Sequence, residues 1–217
     1  MHRPSITILA VAMAGLGIAA CQTTGQKAEM PASAELAPIE RPNHAVGTRF
    51  VFKRRDGKDV TLTITARADD GSYTVENSEG CAYTRPDNNR FAPELSWRGC
   101  DGTEGTQQIQ ASEGSIWPLK VGATQRWTYD GKNSSGQSWQ GARTCEVPAA
   151  VRVTIAAGAF DAFKVVCRDE GEGFHATRTW YVAPALRGAS ALYLSETSWR
   201  GSSRSEYMSG PHLPKSS

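Results

Sequence analysis

Val60-Thr61-Leu62-Thr63-Ile64 alternates without a break, three apolar side chains on one face and two threonines on the other. Two turn signals bracket the segment, Asp56-Gly57 and Asp70-Gly71, each a dipeptide that favours a tight hairpin. Thr48 to Phe52 alternates before the first turn, and Tyr73 and Val75 continue the pattern after the second. Beyond residue 43 no stretch carries a helical period of about 3.6 residues. Pro184 to Leu194 comes nearest, but it opens on proline and contains Gly188. The expected class is therefore all-β with antiparallel sheets. Six Trp, six Tyr and six Phe call for a core and exclude disorder across the whole chain.

The chain also repeats itself. Val60 to Ile64 lies over Val151-Arg-Val-Thr-Ile155, and Phe91-Ala-Pro-Glu-Leu95 over Val182-Ala-Pro-Ala-Leu186. Val46-Gly47-Thr48 returns as Val121-Gly122-Ala123, and Glu94-Leu-Ser-Trp-Arg-Gly99 as Glu196-Thr-Ser-Trp-Arg-Gly201. The four matches keep their order, and their offsets grow along the chain, as insertions in a second copy would make them do. Two tandem repeats are expected, residues 44–117 and 118–208, with a disordered tail at 209–217. Half a barrel leaves open edges, so the halves should pack as a sandwich, a clam or a partial barrel.

Residues 1–20 read as a leader. His2 and Arg3 are followed by an uncharged run from Ile6 to Ala20, fifteen residues long. As helix that run spans about 22 Å, short of the roughly 30 Å of a bilayer core. Ile18-Ala19-Ala20-Cys21 resembles the bacterial lipobox, which implies cleavage before Cys21 and acylation of that cysteine. Gln22 is not the aspartate that holds enteric lipoproteins at the inner membrane, so the resemblance implies the outer membrane, with the domain facing the periplasm. Residues 22–43 have no aromatic residue and no period, and they read as a flexible tether.

The second repeat is similar to the TapB-like envelope proteins. Val153-Thr-Ile-Ala-Ala-Gly-Ala-Phe-Asp-Ala-Phe-Lys-Val-Val-Cys167 resembles their hairpin, although Ala156 stands where the family has proline. Trp117-Pro-Leu-Lys-Val-Gly122 before it and Trp180-Tyr-Val-Ala-Pro184 with Gly188 after it match as well. The likeness covers about residues 116–200. It implies a mostly antiparallel β fold and an envelope location, and it supplies no catalytic residue.

With Cys21 assigned to lipid, four cysteines remain: Cys81, Cys100, Cys145 and Cys167. An even number in an oxidising compartment reads as two disulfides, and no pair has the close spacing of zinc ligands. The expected bridges are local, Cys81–Cys100 and Cys145–Cys167.

Catalytic patterns are sparse. His44 and His212 fall near the ends, and His175 reads as a surface residue. Gly136-Gln-Ser-Trp-Gln-Gly141 misses the nucleophile elbow by one position, and Gly171-Glu-Gly173 lacks the rest of a dinucleotide loop. Asp169, Glu170 and Glu172 read as a solvated hairpin turn rather than a calcium loop. No metal, cofactor or enzyme activity is expected. A net charge of +2, or +1 without Arg3, gives no field for nucleic acid.

The expected function is a non-enzymatic binding or scaffolding module anchored to the membrane by acyl chains, with an envelope protein or a glycan as partner. A β-clam holding an apolar ligand is the alternative, and a hydrolase ranks below it. The apolar and threonine faces of Val60–Ile64 weigh against a cavity inside a covered sheet. Trp97-Arg98 and Trp199-Arg200 suit either sugar stacking or a structural corner in which Arg packs over Trp; the corner reading makes Trp199 costly to remove.

Overall fold

The computed structural model describes residues 29–100 and 102–213. Its strands run β1 Met30–Pro31, β2 Arg49–Arg54, β3 Asp59–Arg67, β4 Tyr73–Asn77, β5 Ala82–Arg85, β6 Ser96–Cys100 and β7 Thr103–Ser115. They continue with β8 Thr124–Asn133, β9 Ser138–Ile155, β10 Gly158–Gly171, β11 Phe174–Val182, β12 Ser190–Thr197 and β13 Gly201–His212. From β2 to β13 each strand pairs antiparallel with the next, and β13 returns to β2, with Tyr207 opposite Phe52. The result is a closed up-and-down barrel of 12 strands.

This corrects the expectation of a sandwich, a clam or a partial barrel. Closure on itself removes every open edge, so two half-sheets have no need to stack. The boundary at residues 117 and 118 falls between β7 and β8, and each half forms one arc of the ring. The matched segments do lie six strands apart, β3 with the end of β9 and β6 with the turn after β12, but they differ in surroundings. Val60, Leu62 and Ile64 line the interior. Val151, Val153 and Ile155 pack instead with Tyr181, Leu186 and Leu192 in a separate cluster.

Alternate hairpins of an up-and-down barrel lie at the same end. The turns after β2, β4, β6, β8, β10 and β12 surround an open mouth, and residues at or beside each of them border the cavity. The opposite end is closed. Phe91 and Ala92, from the long β5–β6 connection, have no exposed surface, and Ile116 and Leu119 from the β7–β8 connection join them. Trp127, Val147, Phe163, Val165 and Val182 from the strands complete an apolar floor. The molecule is a cup.

Part of the expected tether and part of the expected tail are folded. Met30 and Pro31 pair with Arg152 and Val151 of β9, extending the row beyond the end of β8. Ile39 bridges Leu119 at the floor, Lys164 donates to Glu29 at 2.8 Å, and Arg41 binds Asp87. Residues 29–43 thus seal the closed end, which needs cover because a 12-strand ring is too wide for wall side chains alone to fill. At the other terminus β13 continues to His212, where it pairs with Arg49. The leader and Cys21 lie outside the described residues.

Over β3, β7 and β8 the outer wall is polar. Thr106 and Gln108 on β7 face Lys132 and Asp130 on β8, and Thr61 and Thr63 alternate with the inward residues of β3. A barrel that crosses a membrane carries an apolar outer band instead.

Candidate functional site: the barrel lumen

The cup encloses a cavity of about 1350 Å³, room for some 45 waters at about 30 Å³ each. Closing a single sheet converts its apolar face into the lining of that cavity. Val60, Leu62 and Ile64 therefore face the lumen while the threonines face water. The alternation that weighed against a ligand cavity is the alternation a barrel needs, since no second covered face is required.

Above the floor lies an ionic layer. Arg143 on β9, only 3% exposed, donates through Nε to Asp169 on β10 at 2.7 Å, and its Nη2 lies 3.4 Å from Glu94. Tyr129 donates its hydroxyl hydrogen to Asp169 at 3.1 Å, and Arg178 on β11 pairs with the same carboxylate. Arg85 on β5 pairs with Glu94 and sits over the Tyr83 ring, 5.0 Å from its centroid. Arg143 also donates to the carbonyls of Phe91 and Ala92, which ties the floor loop to the wall. Burial opposes ionisation of Glu94, yet Arg85, Arg143 and Arg178 outweigh it and hold the carboxyl below its usual range. Burial pushes the Tyr83 hydroxyl up to about 12.

Asp169 thus departs from the solvated-turn reading. It is 2% exposed on β10, while Glu170 and Glu172 are exposed. Strand parity explains the split: Val165, Cys167 and Asp169 share the inward face, and Glu170 points outward. His175 is exposed on β11.

Toward the mouth the wall carries aromatic rings laid flat over inward glycines. A Cβ on Gly105 would lie 2.4 Å from the Trp97 ring, and one on Gly131 would lie 2.3 Å from Trp139. Gly171 makes the same room for Phe174. Trp97 and Trp139 meet with centroids 5.9 Å apart, and Phe174 meets Trp199 edge-on at 6.1 Å. Glycine beneath each ring lets it lie against the wall and leaves the lumen open.

The Trp-Arg pairs do not act as units. Trp97 faces the lumen and Arg98 faces solvent on the outer wall, 3.9 Å from Glu76, because neighbours on a strand point apart. Trp199 and Arg200 lie on the turn after β12, at the mouth, with Trp199 50% exposed. The structural-corner reading of Trp199 is corrected accordingly: half its surface remains in water. Cys81 is bonded to Cys100 near the mouth and Cys145 to Cys167 in the wall.

A third group lies beside the floor. Arg67 of β3 donates to the carbonyl oxygen of His44 at 2.9 Å and also binds Asn88. Arg90 of the floor loop donates to Ser190 Oγ at 3.3 Å. Among the described residues neither guanidinium has a carboxylate within ion-pairing distance. His44 holds an Nε2 that is enclosed and, among the described residues, has no hydrogen-bond partner. Burial, then Arg90 and Arg67, depress its pKa to about 4. Nothing in the sequence pattern marked this cluster; its members come from the entry segment, a strand end and a loop.

No protein-family model matches the chain and no curated protein does, so the TapB-like resemblance has no family match behind it. Among solved structures the chain is similar to a hypothetical lipoprotein, YmcC, from Escherichia coli K12. Identity is 10%, with 76% of this chain and 85% of that one covered, at a TM-score of 0.49.

Proposed function

We propose that the protein is an envelope lipoprotein, anchored through Cys21, that binds a ligand with an apolar body inside its barrel. The observation that carries this reading is the open lumen itself. A packed barrel fills its interior with side chains, whereas this one lays its aromatic rings flat on glycine and keeps about 1350 Å³ free behind an open mouth. The binding role expected from the sequence then belongs to the inside of the fold rather than to a scaffolding surface. Binding rather than catalysis fits the lumen carboxylates, because Glu94 and Asp169 are both committed to arginines.

The closed end faces the anchor in this reading. Glu29 lies against Lys164 and Tyr181 at that end, eight residues along the chain from Cys21. The mouth then opens away from the membrane that holds the acyl chains, toward the periplasm if that membrane is the outer one.

The test is titration of the full chain, carrying Cys21→Ser so that no detergent is needed, with the neutral fluorescent probe N-phenyl-1-naphthylamine. Saturable binding at one probe per chain, abolished by Leu62→Trp, is the expected result. Leu62→Trp puts a large ring into open lumen, so it blocks the site without overfilling a packed core. Absence of saturable binding, or binding indifferent to Leu62→Trp, would overturn the proposal.

A further inference from the structure

The lumen is not electrically balanced. Five arginines line it at or below the ionic layer, Arg67, Arg85, Arg90, Arg143 and Arg178, against two carboxylates, Glu94 and Asp169. The ion pairs account for Arg85, Arg143 and Arg178. Arg67 and Arg90 are left over, both beside the floor and both bordering the cavity. Arg90 makes one long hydrogen bond to a neutral hydroxyl and leaves most of its five donors unused. Burial lowers its pKa from the usual guanidinium value and Arg85 adds to the effect, so its charge is held there at a cost. Arg67 and Arg90 are both partly buried, and a partly desolvated cation without an acidic partner is costly in a fold that gains nothing from it.

The surroundings complete a two-part site. From Arg67 the apolar face of β3 runs through Ile64, Leu62 and Val60 toward the mouth, about 23 Å along the strand at about 3.3 Å per residue. One end of the cavity thus offers the Arg90 guanidinium, whose free N–H donors suit a carboxylate or phosphate, with the Arg67 charge beside it held in place by bonds to the His44 carbonyl and Asn88. The rest offers hydrocarbon and aromatic surface.

We infer that the ligand is an anionic amphipath, its carboxylate or phosphate head held at the floor by Arg90 with Arg67 and its apolar body extending along β3 toward the mouth. This rests on the lumen-binding reading above and adds the charge of the head and the direction in which the ligand lies. His44 is part of the same corner: an anion there neutralises the two guanidinium groups that oppose its protonation.

The experiment is displacement of N-phenyl-1-naphthylamine from the Cys21→Ser chain by four probes with the same sixteen-carbon tail. They are hexadecanoate, hexadecyl phosphate, hexadecanol and hexadecyltrimethylammonium. The two anions are expected to displace the fluorophore at concentrations about tenfold or more below the alcohol, and the cation to be weakest. The stronger anion identifies the head as carboxylate or phosphate. Arg90→Gln should remove most of that advantage while leaving fluorophore and alcohol affinity unchanged, which shows the barrel is intact. Arg90→Lys should restore part of it.

Equal displacement by anion and alcohol, or an advantage that survives in both Arg90→Gln and the Arg67→Gln Arg90→Gln double variant, would overturn the assignment of the head group while leaving lumen binding in place. Failure of the fluorophore to bind saturably would overturn the lumen reading and this one with it.

Discussion

Asp169→Asn removes one charge from the centre of the ionic layer and leaves the shape of the side chain almost unchanged. In the native protein that carboxylate receives hydrogen bonds from Arg143, Tyr129 and Arg178 and is 2% exposed. The amide retains one acceptor oxygen and turns an NH₂ group toward guanidinium donors. Arg143, 3% exposed, keeps Glu94 at 3.4 Å and two backbone carbonyls. Breaking a buried ion pair from one side costs about 3–5 kcal/mol, and the surviving Glu94 contact places this case near the lower end, about 3 kcal/mol. At 2–4 °C per kcal/mol for a domain of this size, the thermal midpoint should fall by about 6–12 °C. Replacing the pair together, Asp169→Leu with Arg143→Met, removes both desolvated charges but leaves Arg178 without its carboxylate and the Phe91 and Ala92 carbonyls without their donor, so it should recover less than half of that loss. Thermal unfolding followed by circular dichroism at pH 7 measures all three. An Asp169→Asn midpoint within 2 °C of the native protein would refute the claim that a desolvated pair braces the wall above the floor.

Other expectations follow from the same structure. Gly131→Ala places a Cβ against the Trp139 ring, so it should cost about 1–3 kcal/mol and weaken fluorophore binding as the ring is driven into the lumen; unchanged unfolding and binding would contradict the flat-ring arrangement. Because the His44 pKa is depressed to about 4, the unfolded chain takes up its proton near pH 6.5 before the folded one does. Stability should therefore decline as pH falls from about 6.5 to about 4 and gain nothing back below. In His44→Gln the decline over that window should shrink, and an identical pH profile would sink the point. Trp199→Ala should cost no more than about 2 kcal/mol, since half the ring is already in water and a fully buried Trp is worth about 3–5 kcal/mol; a larger loss in urea unfolding would restore the structural-corner reading.

Local features were legible and closure was not. The alternation of Val60–Ile64, the Asp-Gly turns and the pairing of nearby cysteines are set by neighbours along the chain, and each is visible in a few residues. The contact that turns the sheet into a barrel joins β2 to β13, more than 140 residues apart, and no local pattern encodes it. The direction of the apolar face was read correctly from Val60, Leu62 and Ile64. Its meaning changed once the ring closed, because the inside of a wide barrel is a cavity rather than a packed core.

The ionic layer escaped the sequence for a related reason. Glu94 reaches the other three only across the ring, while Arg143, Asp169 and Arg178 sit on the neighbouring strands β9, β10 and β11, where the register that sets Asp169 opposite Arg143 is not written in either strand alone. A usable signal existed for Asp169, which continues the inward parity of Val165 and Cys167 where Glu170 does not. The four glycines at 105, 131, 141 and 171 carried a second signal, since each pairs on a neighbouring strand with an aromatic residue: Trp97, Trp139, Tyr129 and Phe174 in turn. Trp97 and Arg98 were joined as one motif when strand alternation sends them to opposite faces.

The central claim is that the ligand lies inside the barrel, and a crystal structure of the protein grown with a terminally brominated sixteen-carbon carboxylate tests it most directly. An anomalous bromine peak is expected within the lumen, toward the mouth beside Trp139, with the carboxylate against Arg90. Bromine found only on the outer wall, or a lumen holding water alone at saturating ligand, would contradict it.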